Sequence, residues 1–162
     1  MTESTFWKEL TSGKFAQMVK EESKGRELSS PREVFNIVKP MFAEKDDVER
    51  IYCIFLDTKN QVLAIEEMFS GSILSSVIYP REIIKRVIAL KASAVVLTHN
   101  HPTGCTEPSN EDKMITRKIA IALESIDVQL HDHIIIGDGF HSMADSGFMK
   151  NIKEHLNKVL FG

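Results

Sequence analysis

Residues 94–112 set the tightest limits on what this chain can become. Ala94-Val95-Val96-Leu97 is a short apolar run that reads as a buried strand. It ends in Thr98-His99-Asn100-His101-Pro102, and Ser109-Asn110-Glu111-Asp112 follow a short loop later. In an extended chain residues i and i+2 point to one face, so His99 and His101 aim at one point while Asn100 aims away. Pro102 favours extended backbone at His101. Ser109 is suited to cap a helix, which places Asp112 in its first turn, where the positive end of the helix favours a carboxylate. Two imidazoles and a carboxylate so disposed make three ligands and leave a fourth position for water, as catalytic zinc sites do. A lone His-x-His pair would read as two polar loop residues beside an ordinary capping serine. The full spacing His-x-His-Pro-x6-Ser-x2-Asp at the end of a buried strand is far rarer by chance, so the metal reading is preferred.

The elements around this segment are alternately helical and extended. Residues 1–23 read as an amphipathic helix with Phe6, Leu10, Phe15, Met18 and Val19 on its apolar side, and Lys24-Gly25-Arg26 breaks the pattern. This divides the chain into a helical arm, 1–28, and a metal-binding domain, 29–162. Ser30-Pro31-Arg32-Glu33 is a strong helix start, with Ser30 as N-cap, Pro31 at the first position and Glu33 closing a capping box, and that helix runs to about Phe42. Residues 50–56 and 61–69, joined by Asp57-Thr58-Lys59-Asn60, read as a hairpin. A second helix opens at Tyr79-Pro80 and runs to about Leu90, and a third runs from Ser109 to about Ile126 with Ile115, Ile119, Ala122 and Leu123 inward. Strands are expected over 128–136 and 140–143, then a terminal helix carrying Phe148, Ile152, Leu156, Val159 and Leu160. This order of elements gives an α+β fold, an α/β/α sandwich with a mixed sheet flanked by helices.

Composition narrows the class. The 162 residues suit one sizeable core, and 43% hydrophobic with 27% charged residues is the balance of a soluble globular protein. Twenty basic against twenty-three acidic residues leave a net charge of −3, which disfavours strong non-specific binding to a phosphate backbone. No apolar run approaches membrane-spanning length, so no membrane partner is expected. Two cysteines, Cys53 and Cys105, and no leader pattern lead to the expectation of a reducing cytoplasm.

His99-Asn100-His101-Pro102 through Ser109 and Asp112 resembles the signature of JAB/MPN zinc hydrolases, also called JAMM. Asn between the histidines, followed by Thr103-Gly104, is similar to the RadC-like branch. Phe55-Leu56-Asp57-Thr58-Lys59-Asn60, Tyr79-Pro80-Arg81-Glu82 and Asp132-His133-Ile134-Ile135-Ile136-Gly137 extend the likeness over residues 30–148. The resemblance implies the JAB/MPN (cytidine deaminase-like) architecture and a zinc-dependent hydrolase of the metallopeptidase type, cutting an amide or isopeptide bond in a peptide or protein substrate. It implies that His99, His101 and Asp112 hold Zn2+, which brings the pKa of a bound water to ~7. Ser109 would hydrogen-bond the oxyanion. Glu49, at the start of the first hairpin strand, would be the general base, with Glu66 and Glu67 on the return strand as rivals. The full-length RadC pattern also carries an N-terminal helix-hairpin-helix DNA-binding region; the arm here holds no Gly-rich hairpin of that kind.

Other residues admit two readings each. Cys105 stands where the RadC pattern usually has an acidic residue; it is read as loop filler, with a regulatory thiolate at zinc's open position as the sharper alternative. His131 and His133 share a strand face but lack a third ligand, so Asp132 or His133 is expected to support the sheet or accept a hydrogen bond from a ligating imidazole. Lys113, Arg117 and Lys118 form a basic edge whose default is a solvated face. Three functions compete: the hydrolase; a DNA-repair-associated or nucleic-acid-processing RadC-like protein; and a non-catalytic binding module. An HNH nuclease is set aside because its residues are dispersed over a ββα unit, whereas here they form one tripeptide. A homodimer is open, since the apolar arm can pack on its own domain or on a neighbour.

Overall fold

The computed structural model describes Thr5, Lys8 and residues 12–43, 47–71 and 78–162. Among them run α1 (Lys14–Ser23), α2 (Pro31–Phe42), β1 (Arg50–Leu56), β2 (Val62–Ser70), α3 (Pro80–Leu90), β3 (Ala94–Asn100), α4 (Asn110–Glu124), β4 (Gln129–Ile136), β5 (Phe140–Ser142) and α5 (Phe148–Phe161). The five strands form one sheet in the order β2-β1-β3-β4-β5. β3 and β4 are parallel and every other pairing is antiparallel, so the sheet is mixed, as the α+β reading requires. α4 is the crossover that a parallel pair needs.

Alternation sorts the sheet into two cores. Tyr52, Ile54 and Leu56 of β1, Ala94 and Val96 of β3, and Ile134 and Ile136 of β4 face α1 and α2. Ile51, Cys53 and Phe55, then Val95 and Leu97, face α3, α4 and α5 through Ile83, Val87, Ile119, Leu123 and Ile152. With both faces covered, all seven residues of β3 are buried. The strand that carries His99 and leads into His101 is therefore the most enclosed element, and polar side chains on it must find partners.

Local chemistry explains the element ends. Ser30 caps α2 by accepting from Glu33 N at 3.3 Å, with Pro31 in the first turn. The Glu33 carboxylate reaches one residue further back than expected, accepting from Ser29 N at 2.9 Å and Ser29 Oγ at 3.1 Å. In the β1–β2 turn, Asp57 Oδ1 accepts from Lys59 N and Gln61 N at 2.8 and 2.9 Å, and Asn60 takes the left-handed conformation (φ 59°). In α4, Ala120 is buried beside Ile119 and Leu123, while Ala122 and Ile115 stay half-buried.

The arm is laced to the domain. Phe6 and Leu10 lie outside the described residues. α1 turns Ala16 and Val19 into the core, leaving Phe15 38% and Met18 57% exposed, the reverse of the face expected for those two. The segment after it hydrogen-bonds to the start of β2 and the preceding turn, through Gly25 N to Val62 O, Val62 N to Arg26 O and Leu28 N to Asn60 O. Among the described residues no helix is long and apolar enough to cross a membrane.

Candidate metal centre

The site lies at the carboxyl end of β3, beside the parallel crossover, which is where open sheets with helical crossovers leave room for ligands. Parallel pairing sets His99 beside Ile135 and antiparallel pairing sets it beside Ile51, so the ring emerges from a dry wall and is itself 0% exposed. His101 stands just past the strand. Its backbone N–H reaches Ile136 O (2.8 Å), and Gly104 N returns to His101 O (3.0 Å), closing a tight turn. Two glycines allow it. A Cβ on Gly104 (φ +86°) would sit 2.7 Å from Asp138 Oδ2, and one on Gly137 would sit 2.3 Å from Gly104 O. Lys39 Nζ donates to Gly137 O at 2.6 Å and fastens this loop to α2.

The third residue arrives from α4. Ser109 Oγ accepts from Asp112 N (3.0 Å) while Asp112 Oδ2 accepts from Ser109 N (2.9 Å), a reciprocal capping box. This fixes Asp112, 1% exposed, against both imidazoles. His99, His101 and Asp112 each offer a ligand atom, all within 4.8 Å of one another, and among the described residues they are the one group of three that could hold a metal ion.

Hydrogen-bond direction shows what the cluster lacks. His101 Nδ1 lies 2.8 Å from Cys105 O, and a carbonyl only accepts, so the proton of the neutral ring is on Nδ1. Its bare Nε2 then faces His99 Nε2 at 2.9 Å and Asp112 Oδ2 at 3.0 Å. Asp112 Oδ1 is 3.1 Å from His99 Nε2, yet it is buried and makes no hydrogen bond. Bare nitrogens and carboxylate oxygens meeting in a dry site require a cation between them, either a proton or a metal ion. The donor set, two imidazoles and one carboxylate, is one that zinc accepts.

Electrostatics agree. The hydrogen bond to Asp112 raises the proton affinity of His101 against the cost of burial, with help from Cys105 O and the charges of Asp112 and Glu49. Burial pushes Asp112 toward the neutral acid, but the His101 and His99 rings outweigh it and hold the carboxyl well below its ordinary range. Burial first, and then the His99 ring, keep His133 well below the ordinary histidine range.

Glu49 is half-buried immediately before β1. The β1–β3 ladder ends where Ile51 pairs with His99, two residues after Glu49, and the Glu49 charge acts on the His101 ring. The rivals point elsewhere: Glu66 accepts from Arg86 Nε (2.6 Å) and Nη2 (2.8 Å), and Glu67 pairs with Arg50 at 3.6 Å. Asn100, aimed away from the ligands as expected, accepts from Arg50 N (2.8 Å) and donates to Val48 O (3.0 Å), gripping the chain on both sides of Glu49. Cys105 is exposed, and its contact with the cluster is its backbone carbonyl.

The two downstream histidines do not share a face. The β3–β4 register slips by one residue between Val95 and Val96, pairing Val95 with Leu130 and Val96 with Asp132. The bulge leaves His131 out of the ladder, and its Nε2 meets Asn60 Oδ1 at 2.9 Å. His133 pairs with Leu97 and turns to His99, Nε2 to Nδ1 at 2.7 Å. Asp132 binds Ser142 Oγ, His133 N and Ala144 N, fixing the β4–β5 corner. Sequence reasoning missed Thr116, whose Oγ1 contacts His133 Nδ1 at 2.6 Å and Asp112 O at 2.6 Å. A threonine one helical turn after a candidate ligand, on the buried side of the helix, was the available signal.

Comparison with known proteins fits this architecture. A family profile described as RadC-like JAB domain matches residues 28–148. Similar proteins include a UPF0758 protein of Ectopseudomonas mendocina (strain ymp), 45% identical over 123 residues that make up 75% of this chain and 54% of that protein. Another is a UPF0758 protein of Methanosarcina mazei, 40% identical over 126 residues, 77% of this chain and 55% of that one. The chain spans about half the length of the curated relatives it matches. With the family profile covering most of its residues, from the approach to α2 through the start of α5, the chain belongs to the RadC-like JAB domain family.

Proposed function

We propose that the protein is a zinc-dependent hydrolase of the metallopeptidase type that cuts an amide or isopeptide bond in a peptide or protein. The observation that carries this reading is the buried convergence of His99 Nε2, His101 Nε2 and an unbonded Asp112 Oδ1. His99, His101 and Asp112 would hold the metal. Bound there, zinc supplies Lewis acidity that makes water a nucleophile near neutral pH.

The remaining roles belong to the chain. Glu49, whose charge acts on His101, takes the proton of the attacking water and returns it to the departing amine. Glu66 and Glu67 are supported in that role less well, because both carboxylates are paired with arginines. Ser109 uses an acceptor lone pair on Asp112 N and keeps its own O–H to donate to the oxyanion that develops on the attacked carbonyl. The Lys113–Lys118 edge gives nucleic acid little support, since Arg117 lies over the Phe148 ring at 4.9 Å.

Metal analysis of the purified protein, paired with a peptide-library cleavage screen with and without chelator, tests this. About one zinc per chain, lost in His101→Ala, and chelator-sensitive cleavage are expected. Stoichiometric zinc in His101→Ala overturns the ligand set, and cleavage indifferent to chelator overturns the mechanism.

A further inference from the structure

We infer that Thr116 and His133 are positioning residues that set the tautomer of His99, leaving its Nε2 bare toward Asp112. The inference deepens the metal-binding reading above and rests on it for its consequence, while the tautomer itself is a property of the chain alone.

Three hydrogen bonds in series carry it. His99 Nδ1 meets His133 Nε2 at 2.7 Å, His133 Nδ1 meets Thr116 Oγ1 at 2.6 Å, and Thr116 Oγ1 meets Asp112 O at 2.6 Å. His99, His133 and Thr116 are all 0% exposed, and each meets the next within 2.7 Å, so the series runs directly between buried groups. Direction is settled from the carbonyl end. Asp112 O has no proton, so the single hydroxyl proton of Thr116 goes to it; the other acceptor within reach, Met143 Sδ at 3.5 Å, is a weak one. Thr116 Oγ1 must then accept from His133 Nδ1–H. A neutral imidazole has one ring proton, so His133 Nε2 is bare and accepts from His99 Nδ1–H. The proton of His99 is thereby committed to Nδ1.

Its Nε2 is left as a lone pair, 2.9 Å from His101 Nε2 and 3.1 Å from Asp112 Oδ1. The relay starts at the backbone of Asp112 and ends facing its carboxylate. One residue of α4 thus presents a candidate ligand and also fixes which nitrogen of another candidate ligand is free. Partners of this kind typically change metal affinity by about 10- to 100-fold.

The test combines two readouts on the full chain. Long-range 1H–15N NMR of the metal-free protein above neutral pH should show His99 protonated on Nδ1. Zinc affinity, by competition with a chromophoric chelator, should fall about 10- to 100-fold in Thr116→Val and be kept in Thr116→Ser, which retains the hydroxyl. His133→Phe should lose the His99 tautomer preference; if it does not fold, by circular dichroism, the Thr116 pair decides alone. His99 protonated on Nε2 in the wild type, or Thr116→Val with tautomer and affinity intact, overturns the inference. A wild type that binds no zinc but loses the Nδ1–H signature in Thr116→Val supports the relay and overturns the metal reading.

Discussion

Asn100 accepts the backbone N–H of Arg50 at 2.8 Å while donating to Val48 O at 3.0 Å, so one carboxamide brackets Glu49. The residue between the two histidines therefore holds the approach to β1 against β3. Asn is required because the grip needs an acceptor and a donor on one planar group. Asn100→Asp would turn a carboxylate oxygen toward Val48 O, and Asn100→Ala would leave Arg50 N without its partner. Both variants should keep zinc binding and lose turnover, by about 100-fold if Glu49 moves by about 1 Å. Metal content and initial rates on the peptide selected by the cleavage screen check this. A rate loss that tracks zinc loss would place Asn100 in the metal shell instead.

Substitution of the three glutamates separates the candidate bases. Glu49→Gln should retain zinc and lose about 10²- to 10⁴-fold in turnover. Glu66→Gln removes one side of the bidentate pair with Arg86, whose members are 28% and 42% exposed and so screened by solvent, and it should change stability little and leave turnover intact. Glu67→Gln should behave likewise. Full activity in Glu49→Gln would transfer the role to another group.

The ends and order of the elements were legible because strong local signals coincide with tertiary demands. Pro31 and Pro80 start helices, Asp57 to Asn60 closes the hairpin, and Ser109 caps α4, as their sequence contexts imply. The meeting of His99, His101 and Asp112 was legible for the same reason, through period two continued just past the end of β3 and a helix start downstream. Long-range pairings were not. The bulge at His131 comes from register between two strands, and the bracket around Glu49 from the pairing of β1 with β3, neither of which is written in local periodicity. The inward face of α1 is not legible in the sequence because Phe15 and Met18 dominate its hydrophobicity, while the small Ala16 fits the close approach to α2 and β2.

The two cysteines should react very differently. Cys53 lies at the centre of β1, 0% exposed, and burial pushes its thiol well above the ordinary range, with the Glu66 charge adding to it. Cys105 is exposed in the loop after His101. A chromogenic disulfide reagent should titrate one thiol in the native protein and two after denaturation, and Cys105→Ser should abolish the native reaction. Rapid modification of two thiols in the folded protein would contradict the packing of β1.

The coupling of His101 with Asp112 predicts how pH acts on stability. His101 has a folded-state proton affinity raised above its ordinary value of 6.5, chiefly by the hydrogen bond to Asp112, so its contribution is full below that pH and is lost as pH rises through the folded value. Asp112 is lowered from 3.8 despite burial, by the His101 and His99 rings, so its contribution is present above that pH and lost only under strong acid. The metal-free protein should therefore be most stable between about pH 4 and 6.5 as far as this pair decides it, and weaken on the alkaline side. Zinc competes with the His101 proton, so its affinity should fall as pH drops through the raised folded value of His101, and it should replace the lost stabilisation above it. The stabilisation by zinc, read as the gap in Tm between zinc-loaded and metal-free protein, should grow as pH rises from about 6 to about 8, its free-energy gain approaching the ~4 kcal/mol expected at a thousandfold excess over Kd. Thermal melts across that range check the sign: a gap that is flat or narrows with rising pH would mean that the His101 proton and the metal do not share Nε2.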